Sequence, residues 1–417
     1  MRNLVIYNQY SRASLYGIGT YQDQILSLVD RSQYKVIIVY LNSNCGEFHI
    51  ESKSDRLNVY VPSPVLRENA RDLDQSLVYV KNSLYLLHSL IGGGGRHIFL
   101  LNYIYDVAFT NCLRELYPAA SAVLAIHYLD WFFKIRYNEQ FFDRIIAEKG
   151  SLQSTNLERG IYHTYLSNKQ FMNSLDRVVC LSKSMKRLLI EKYGVNAGNL
   201  HVIYNGLKDR NLIYHDQDYI DNLKLKYGFN SKDRLLLFVG RVDEDKGVFH
   251  LVKAFKMVLE KHKRVKLVIM GDGRIGECVS AASPAWSNII FTGAVDKRIV
   301  SDFYMMSDIG VLPSYYEQCS YVAIEMMMYG LPVIGTDSSG LDEMVQEHVN
   351  GRKIYIEKER ESVRISESDL SGIISSILSM DLSEYRDMRN NSRRMYLDRY
   401  SINSMKREYL SLFEDLP

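Results

Sequence analysis

Short apolar runs rich in β-branched and aromatic residues alternate with amphipathic stretches along the whole chain. In the first half the runs are Leu4–Tyr7, Lys35–Leu41, His97–Leu101, Ala122–Ile126 and Arg177–Leu181. Their near-continuous apolar character predicts strands buried on both faces. Tyr21–Val29 and Leu73–Leu90 between them carry helical spacing. The rhythm restarts after about residue 205. Leu235–Val239, Val265–Met270, Asn288–Phe291, Ile309–Leu312 and Leu331–Ile334 are the new strands, and Val248–His262, Lys297–Met306 and Tyr321–Tyr329 the new helices. Strand–helix–strand order predicts α/β architecture: two Rossmann-like doubly wound parallel-sheet domains facing a central cleft, with ligand at the carboxyl ends of the strands.

The turn-forming pair Asn205–Gly206 follows a strand-like His201–Tyr204 and marks the boundary. The expected domains are 1–205 and 206–399, with a last amphipathic helix in 400–417 crossing back to the first. Gly92–Gly95 reads as a loop, and no internal repeat is visible.

Composition narrows the function classes. The chain has 417 residues, 47% of them apolar, enough to fill two cores. A formal net charge of +2 gives no field suited to nucleic acid. Residues 1–205 hold 22 Lys/Arg against 17 Asp/Glu, and the remainder 29 against 32. That mild basic bias fits an anionic acceptor, a membrane surface or chance scatter. The five cysteines form no C-x-x-C pair, which argues against a disulfide framework or a zinc site. Met1–Gln9 turns polar too early for a secretory leader, and no apolar run approaches the ~18–20 residues that span a bilayer. The expectation is a cytoplasmic protein, with peripheral contact at the inner face of the membrane left open.

Two stretches carry candidate chemistry. In Pro313-Ser-Tyr-Tyr-Glu317-Gln-Cys-Ser-Tyr-Val-Ala-Ile-Glu325, the first glutamate falls in a loop after a strand. The second lies inside a helix starting near Ser320. A loop running into a helix N-terminus offers N–H groups and a positive dipole end to phosphate or sugar oxygens. A carboxylate a turn deeper can accept from a ribose diol; the plain alternative is a solvated Glu317 and a locally paired Glu325. In Gly240-Arg241-Val-Asp-Glu-Asp-Lys246-Gly247 a strand ends and two cations follow before a helix. An arginine fork and a lysine point charge there form a pyrophosphate clamp, or else a solvated loop.

The order G-R-x₄-K-G, V-I-M-G-D-G, F-T-G, P-S-x-x-E-x₇-E and G-x-P-V-I, in register over about 110 residues, resembles the family-4 retaining glycosyltransferases of GT-B fold. The first half resembles them more loosely. The resemblance implies that Arg241 and Lys246 hold the donor pyrophosphate and Glu325 the ribose hydroxyls. Glu317 would contact the transferred sugar, helped by the backbone amides of Gln318, Cys319, Ser320 and Tyr321. Gly293 to Val295 would lie near the nucleobase. Gly17 and Gly19, in the loop Leu15–Thr20, would approach the donor phosphate. His127, ending a first-domain strand, matches the family's active-site histidine; a core histidine is the plainer reading. Where the family usually has a glycine and a bulky apolar residue after the first glutamate, this chain has Gln318-Cys-Ser-Tyr321, so Gln318 and Tyr321 could meet the sugar directly.

The implied reaction moves a sugar from a nucleoside diphosphate sugar, UDP-linked by default and GDP-linked as runner-up, to a hydroxyl acceptor with retention. The departing phosphate would take the acceptor's proton, and no metal or other cofactor is expected. The acceptor stays open among a glycan, a lipid-linked sugar, a peptide and a small molecule, as does oligomeric state. A GT-B sugar-nucleotide epimerase and a non-catalytic scaffold are the rivals.

Gly271-Asp-Gly-Arg-Ile-Gly276 fits a dinucleotide fingerprint, with Asp296 twenty residues beyond, but it follows a later strand of its domain. The triplets Asp72–Asp74, Asp216–Asp218 and Asp243–Asp245 read as solvated faces rather than metal ligands. Trp131–Arg144 mixes aromatic and basic residues, as an acceptor groove, an interfacial helix or ordinary packing would. The 31 tyrosines suit carbohydrate or peptide contact.

Overall fold

A computed structural model describes residues 2–10, 17–64, 72–151, 154–211, 216–359 and 361–416, without the side chains of 72–77. Leu15 and Tyr16 lie outside the described residues.

The apolar runs form two mainly parallel sheets. The first contains β1 (Arg2–Gln9), β2 (Tyr34–Ser43), β3 (His49–Ser52), β4 (Leu57–Pro62), β5 (Ile98–Leu101), β6 (Ser121–Ile126), β7 (Arg177–Cys180) and β8 (Leu200–Val202). Their order is β3-β4-β2-β1-β5-β6-β7-β8, with only β3 antiparallel. The second sheet contains β9 (Arg234–Val239), β10 (Val265–Met270), β11 (Ile289–Gly293), β12 (Ile309–Leu312), β13 (Val333–Thr336) and β14 (Gly351–Ile354), in the order β11-β10-β9-β12-β13-β14. A hairpin of β15 (Ile356–Lys358) and β16 (Val363–Ile365) stands apart. Leu4–Tyr7 and Leu235–Leu237 are fully buried, as strands covered on both faces must be.

Each sheet reverses its winding once. The chain steps from β1 outward through β2, then returns to lay β5 on β1's other side. In the second sheet the reversal falls between β9 and β12. At such a point neighbouring connections run to opposite faces, so their loops part and leave a crevice at the carboxyl ends.

Contacts divide the chain into two units: 1–130, 145–203 and 406–417 in one, 131–144 and 204–405 in the other. Trp131–Arg144, read from sequence as part of a continuous first domain, belongs to the second unit. Phe132 and Phe133 pack on Tyr316, Arg136 pairs with Glu244 at 2.5 Å, and the Asn138 amide donates to the Glu359 carbonyl. The helix Ile402–Glu414 begins in the second unit and ends in the first, where Tyr409 packs on Tyr21. A second correction concerns Gly17 and Gly19. They open the helix Gly17–Leu28 instead of lying in a loop, because the turn burying Ile18 and Tyr21 extends the apolar stripe N-terminally.

Candidate active site

The Gly240–Gly247 loop leaves β9 at the second sheet's switch point. Asp243 caps a short helical turn, Glu244–Lys246, its carboxylate accepting from the Lys246 N–H at 3.1 Å. Asp243 also pairs with Arg241 at 2.8 Å. Glu244 lies between Arg274 and Arg136, and those guanidinium hydrogen bonds, that of Arg274 foremost, hold its carboxyl below the usual range. Burial, then the nearby Asp243, pushes the Asp245 carboxyl up.

The Pro313–Ser320 loop leaves the neighbouring strand, β12. The Tyr315 N–H donates to the Asp245 carbonyl at 3.0 Å, tying the two loops together. His250 bridges the Tyr315 hydroxyl and Glu367, 2.9 Å from each. Glu317 is gripped through its backbone: its N–H donates to Ser339 Oγ at 3.0 Å, and its carbonyl accepts from Ser339 Oγ at 2.5 Å and from the Gly340 N–H at 2.7 Å. Ser339 adopts φ +49° to do this, a left-handed conformation uncommon for a residue with a side chain. Asn205 donates to the Cys319 carbonyl at 2.8 Å. The result is a carboxylate on a fixed backbone, with Lys246 Nζ 2.5 Å from Glu317 Oε1. Both groups are only partly exposed.

Ser320 caps the helix Tyr321–Met328, accepting from the Ala323 N–H. Gln318 and Cys319 are buried and Tyr321 partly so. Burial pushes the Cys319 thiol well up, which leaves it unreactive. Glu325 lies deeper on the helix, accepting from the Tyr304 hydroxyl at 2.9 Å with Arg210 at 3.7 Å. Burial raises its carboxyl. Gly293 ends β11 at φ +65°, and its carbonyl accepts from the Gly271 N–H. Val295 follows in the next loop, partly buried.

Gly271 has a packing reason. A Cβ there would stand 1.8 Å from the Gly240 carbonyl oxygen, so the glycine lets the β10 turn close on the cation-bearing loop. Gly276 has nothing within 4 Å of its Cβ position, and β10 lies one strand away from the switch point. The dinucleotide reading therefore has no support from this turn. Asp216 caps the helix Gln217–Lys226, as Asp243 caps its turn.

In the first unit His127 follows β6. Its Nε2 lies 3.3 Å from Asn102 Oδ1, and its ring meets Tyr21 edge-on at 4.7 Å. Burial pulls the imidazole down to about 3, so the ring is neutral. Together with Gln9, Asn102, Tyr128, Asp130 and Asn168 it lines a cavity of about 190 Å³.

Comparison with known proteins places this geometry. Residues 220–395 match the family model described as glycosyl transferases group 1, and residues 17–210 match glycosyltransferase family 4. One model falls on each half of the chain, and the chain belongs to the family-4 glycosyltransferases of GT-B fold. An uncharacterized glycosyltransferase of Methanocaldococcus jannaschii is 27% identical over 245 residues, 57% of this chain and 60% of that one. The lipopolysaccharide 1,2-N-acetylglucosaminetransferase of Salmonella typhimurium is 30% identical over 142 residues, 31% and 37% of the two chains. The chain thus spans less than two thirds of these relatives' length. Among solved structures, Anabaena HepE in complex with UDP-glucose aligns over all of both chains, with a TM-score of 0.68 at 15% identity, which establishes likeness of fold.

Proposed function

We propose that the chain transfers a sugar from a nucleoside diphosphate sugar, UDP-linked by preference, to a hydroxyl acceptor in polysaccharide or glycolipid assembly, with retention and without a metal. The observation that carries this reading is the Lys246–Glu317 pair at a switch point, with Arg241 on the same loop. A diphosphate leaving group develops negative charge, and fixed cations beside a helix N-terminus offer it preorganised stabilisation. The pyrophosphate takes Lys246 from Glu317, and the released carboxylate accepts from a sugar hydroxyl. Glu325 accepts from the ribose, Gly293 and Val295 flank the base, and the family resemblance assigns Gly17, Gly19 and His127 to the donor as well. With a pKa near 3, His127 orients the sugar rather than acting as base. The UDP-glucose held by Anabaena HepE supports a UDP donor, and the Salmonella relative's name supports a glycan or lipid-linked acceptor.

A thermal-shift panel of nucleoside diphosphates and their sugars, without added metal, tests the proposal. A ligand at a hundred times its Kd stabilises the folded state by about 2.7 kcal/mol. A shift with one sugar nucleotide supports the reading and fixes the base. A shift with NAD alone would overturn it.

A further inference from the structure

A chain of side-chain amides crosses the first sheet's switch point and ends on His127. Asn8 is the penultimate residue of β1, Asn102 follows β5, and His127 follows β6. Asn102 Nδ2 donates to Asn8 Oδ1 at 2.6 Å. Asn8 Nδ2 in turn donates to Gln22 Oε1. Gln22 Nε2 donates to the Tyr40 hydroxyl at 3.1 Å. Asn8, Gln22 and Asn102 are buried, each under a tenth exposed. Every amide in the row gives its N–H₂ to the next residue away from His127. Asn102 therefore turns its only acceptor, Oδ1, toward the ring.

We infer that Asn102, oriented through Asn8 and Gln22, is a positioning residue that holds His127 as its Nε2–H tautomer and leaves Nδ1 as the ring's hydrogen-bond acceptor. An amide oxygen cannot donate, so the facing nitrogen must carry the proton. Reversing the tautomer would require every amide in the row to turn over, because a half-turned row sets two oxygens or two N–H₂ groups against each other in a buried site. A neutral ring so held cannot protonate a leaving group through Nδ1. It accepts from a ligand that carries a proton, and a hydroxyl has that chemistry. Applied to the transfer proposed above, and resting on that reading, His127 takes a hydrogen bond from a hydroxyl of the bound sugar.

The test is ¹⁵N NMR of the full chain labelled at histidine, with the His127 signals assigned by their loss in His127→Gln. The expected spectrum near neutral pH has a pyrrole-type nitrogen at Nε2 and a pyridine-type nitrogen at Nδ1. The opposite tautomer, or a doubly protonated ring, overturns the inference. In Asn102→Ala the preference for Nε2–H is lost; an unchanged spectrum removes Asn102 from the role. Should that variant fail to fold, Asn8→Asp serves instead. An acceptor-only residue at position 8 fixes Asn102 in the inferred orientation, so the His127 spectrum stays as in the parent. A switch to Nδ1–H in this variant would show that the amide row does not set the tautomer, and would overturn the inference. These readouts need neither donor nor acceptor, so they stand or fall apart from the proposed activity.

Discussion

Gly340 tests how tightly the Glu317 carboxylate is placed. A methyl at position 340 would stand 1.7 Å from the Gln318 carbonyl oxygen and 2.8 Å from that of Glu317. Both obstacles are backbone atoms, so no side chain can swing away. The first separation must open from 1.7 Å to at least 3.0 Å, which carries the loop about 1.3 Å outward. The N–H of residue 340 also donates to the Glu317 carbonyl, so the movement strains the bond that locates the carboxylate. A misplacement of about 1 Å in reacting geometry costs about 10²-fold in rate. Overpacking of this kind costs about 1–3 kcal/mol, which leaves a domain of this size folded.

The assay is donor binding by calorimetry together with release of nucleoside diphosphate, on Gly340→Ala and on Gly276→Ala as control. Gly276 lies in the helix Ile275–Ala281 with nothing within 4 Å of its Cβ position. Alanine there is favoured by about 0.8–1 kcal/mol of helix propensity. The expectation is a turnover loss of about 10²-fold for Gly340→Ala. Gly276→Ala should turn over normally with a slightly raised melting temperature. Parental turnover in folded Gly340→Ala would refute the argument that the Ser339–Gly340 clamp sets the position of Glu317.

Three further outcomes are expected. Lys246→Ala loses about 10²–10³-fold in turnover, the cost of one preorganised charge-stabilising group, while circular dichroism and melting show a folded chain. Glu325→Gln weakens donor binding by about 1.5–3 kcal/mol, the worth of hydrogen bonds to a charged acceptor, seen in donor Kd with and without the ribose hydroxyls. The folded-state pKa of His127, about 3, lies below the ordinary 6.5, so between those values the unfolded chain binds the extra proton. Its stability contribution is complete above pH 6.5 and declines as pH falls, by up to about 1.4 kcal/mol per unit. Urea midpoints of the parent and His127→Gln should therefore diverge below pH 6.5 and run parallel above it.

The strands and the loops that carry Arg241, Lys246 and Glu317 were legible in the sequence because each is a local pattern. Leu235–Val239 is apolar throughout and ends at Gly240, so the loop with Arg241 and Lys246 could be placed at a strand's carboxyl end without coordinates. Lys297–Met306 was bounded correctly because an aspartate cap precedes it and its apolar spacing is regular. The residues that hold the site were not legible. Ser339 grips Glu317 from 22 positions away, and its φ of +49° leaves no trace in a residue type that usually avoids it. Asn8 and Asn102 are 94 positions apart. Their visible signal was an amide at the end of each of two apolar runs, Asn8 before Gln9 and Asn102 after Leu101, a weak sign that the two strand ends meet. Trp131–Arg144 was ambiguous because aromatic and basic residues suit a groove, an interface or a core equally. Its contacts with Tyr316 and Glu244 are long-range pairings that composition does not encode.

The Lys246–Glu317 pair leads to one more prediction. Each charge occupies the other, and both sit on loops whose backbones are held in place. A diphosphate reaching Lys246 must displace the carboxylate, which then has to meet a proton-bearing group such as a sugar hydroxyl. A bare nucleoside diphosphate supplies the first exchange without the second and leaves Glu317 uncompensated beside new negative charge. In Glu317→Gln that penalty is absent, and Lys246 is unclaimed. A partly exposed ion pair is worth about 0.2–1 kcal/mol, and 1 kcal/mol corresponds to about fivefold in Kd. The free nucleoside diphosphate should therefore bind Glu317→Gln up to about fivefold more tightly than the parent, while turnover falls because the sugar hydroxyl meets a neutral amide oxygen in place of a charged carboxylate. Calorimetry with UDP, paired with the rate of UDP release, separates the two effects. Weaker UDP binding in Glu317→Gln would mean that Lys246 is not the group the diphosphate takes.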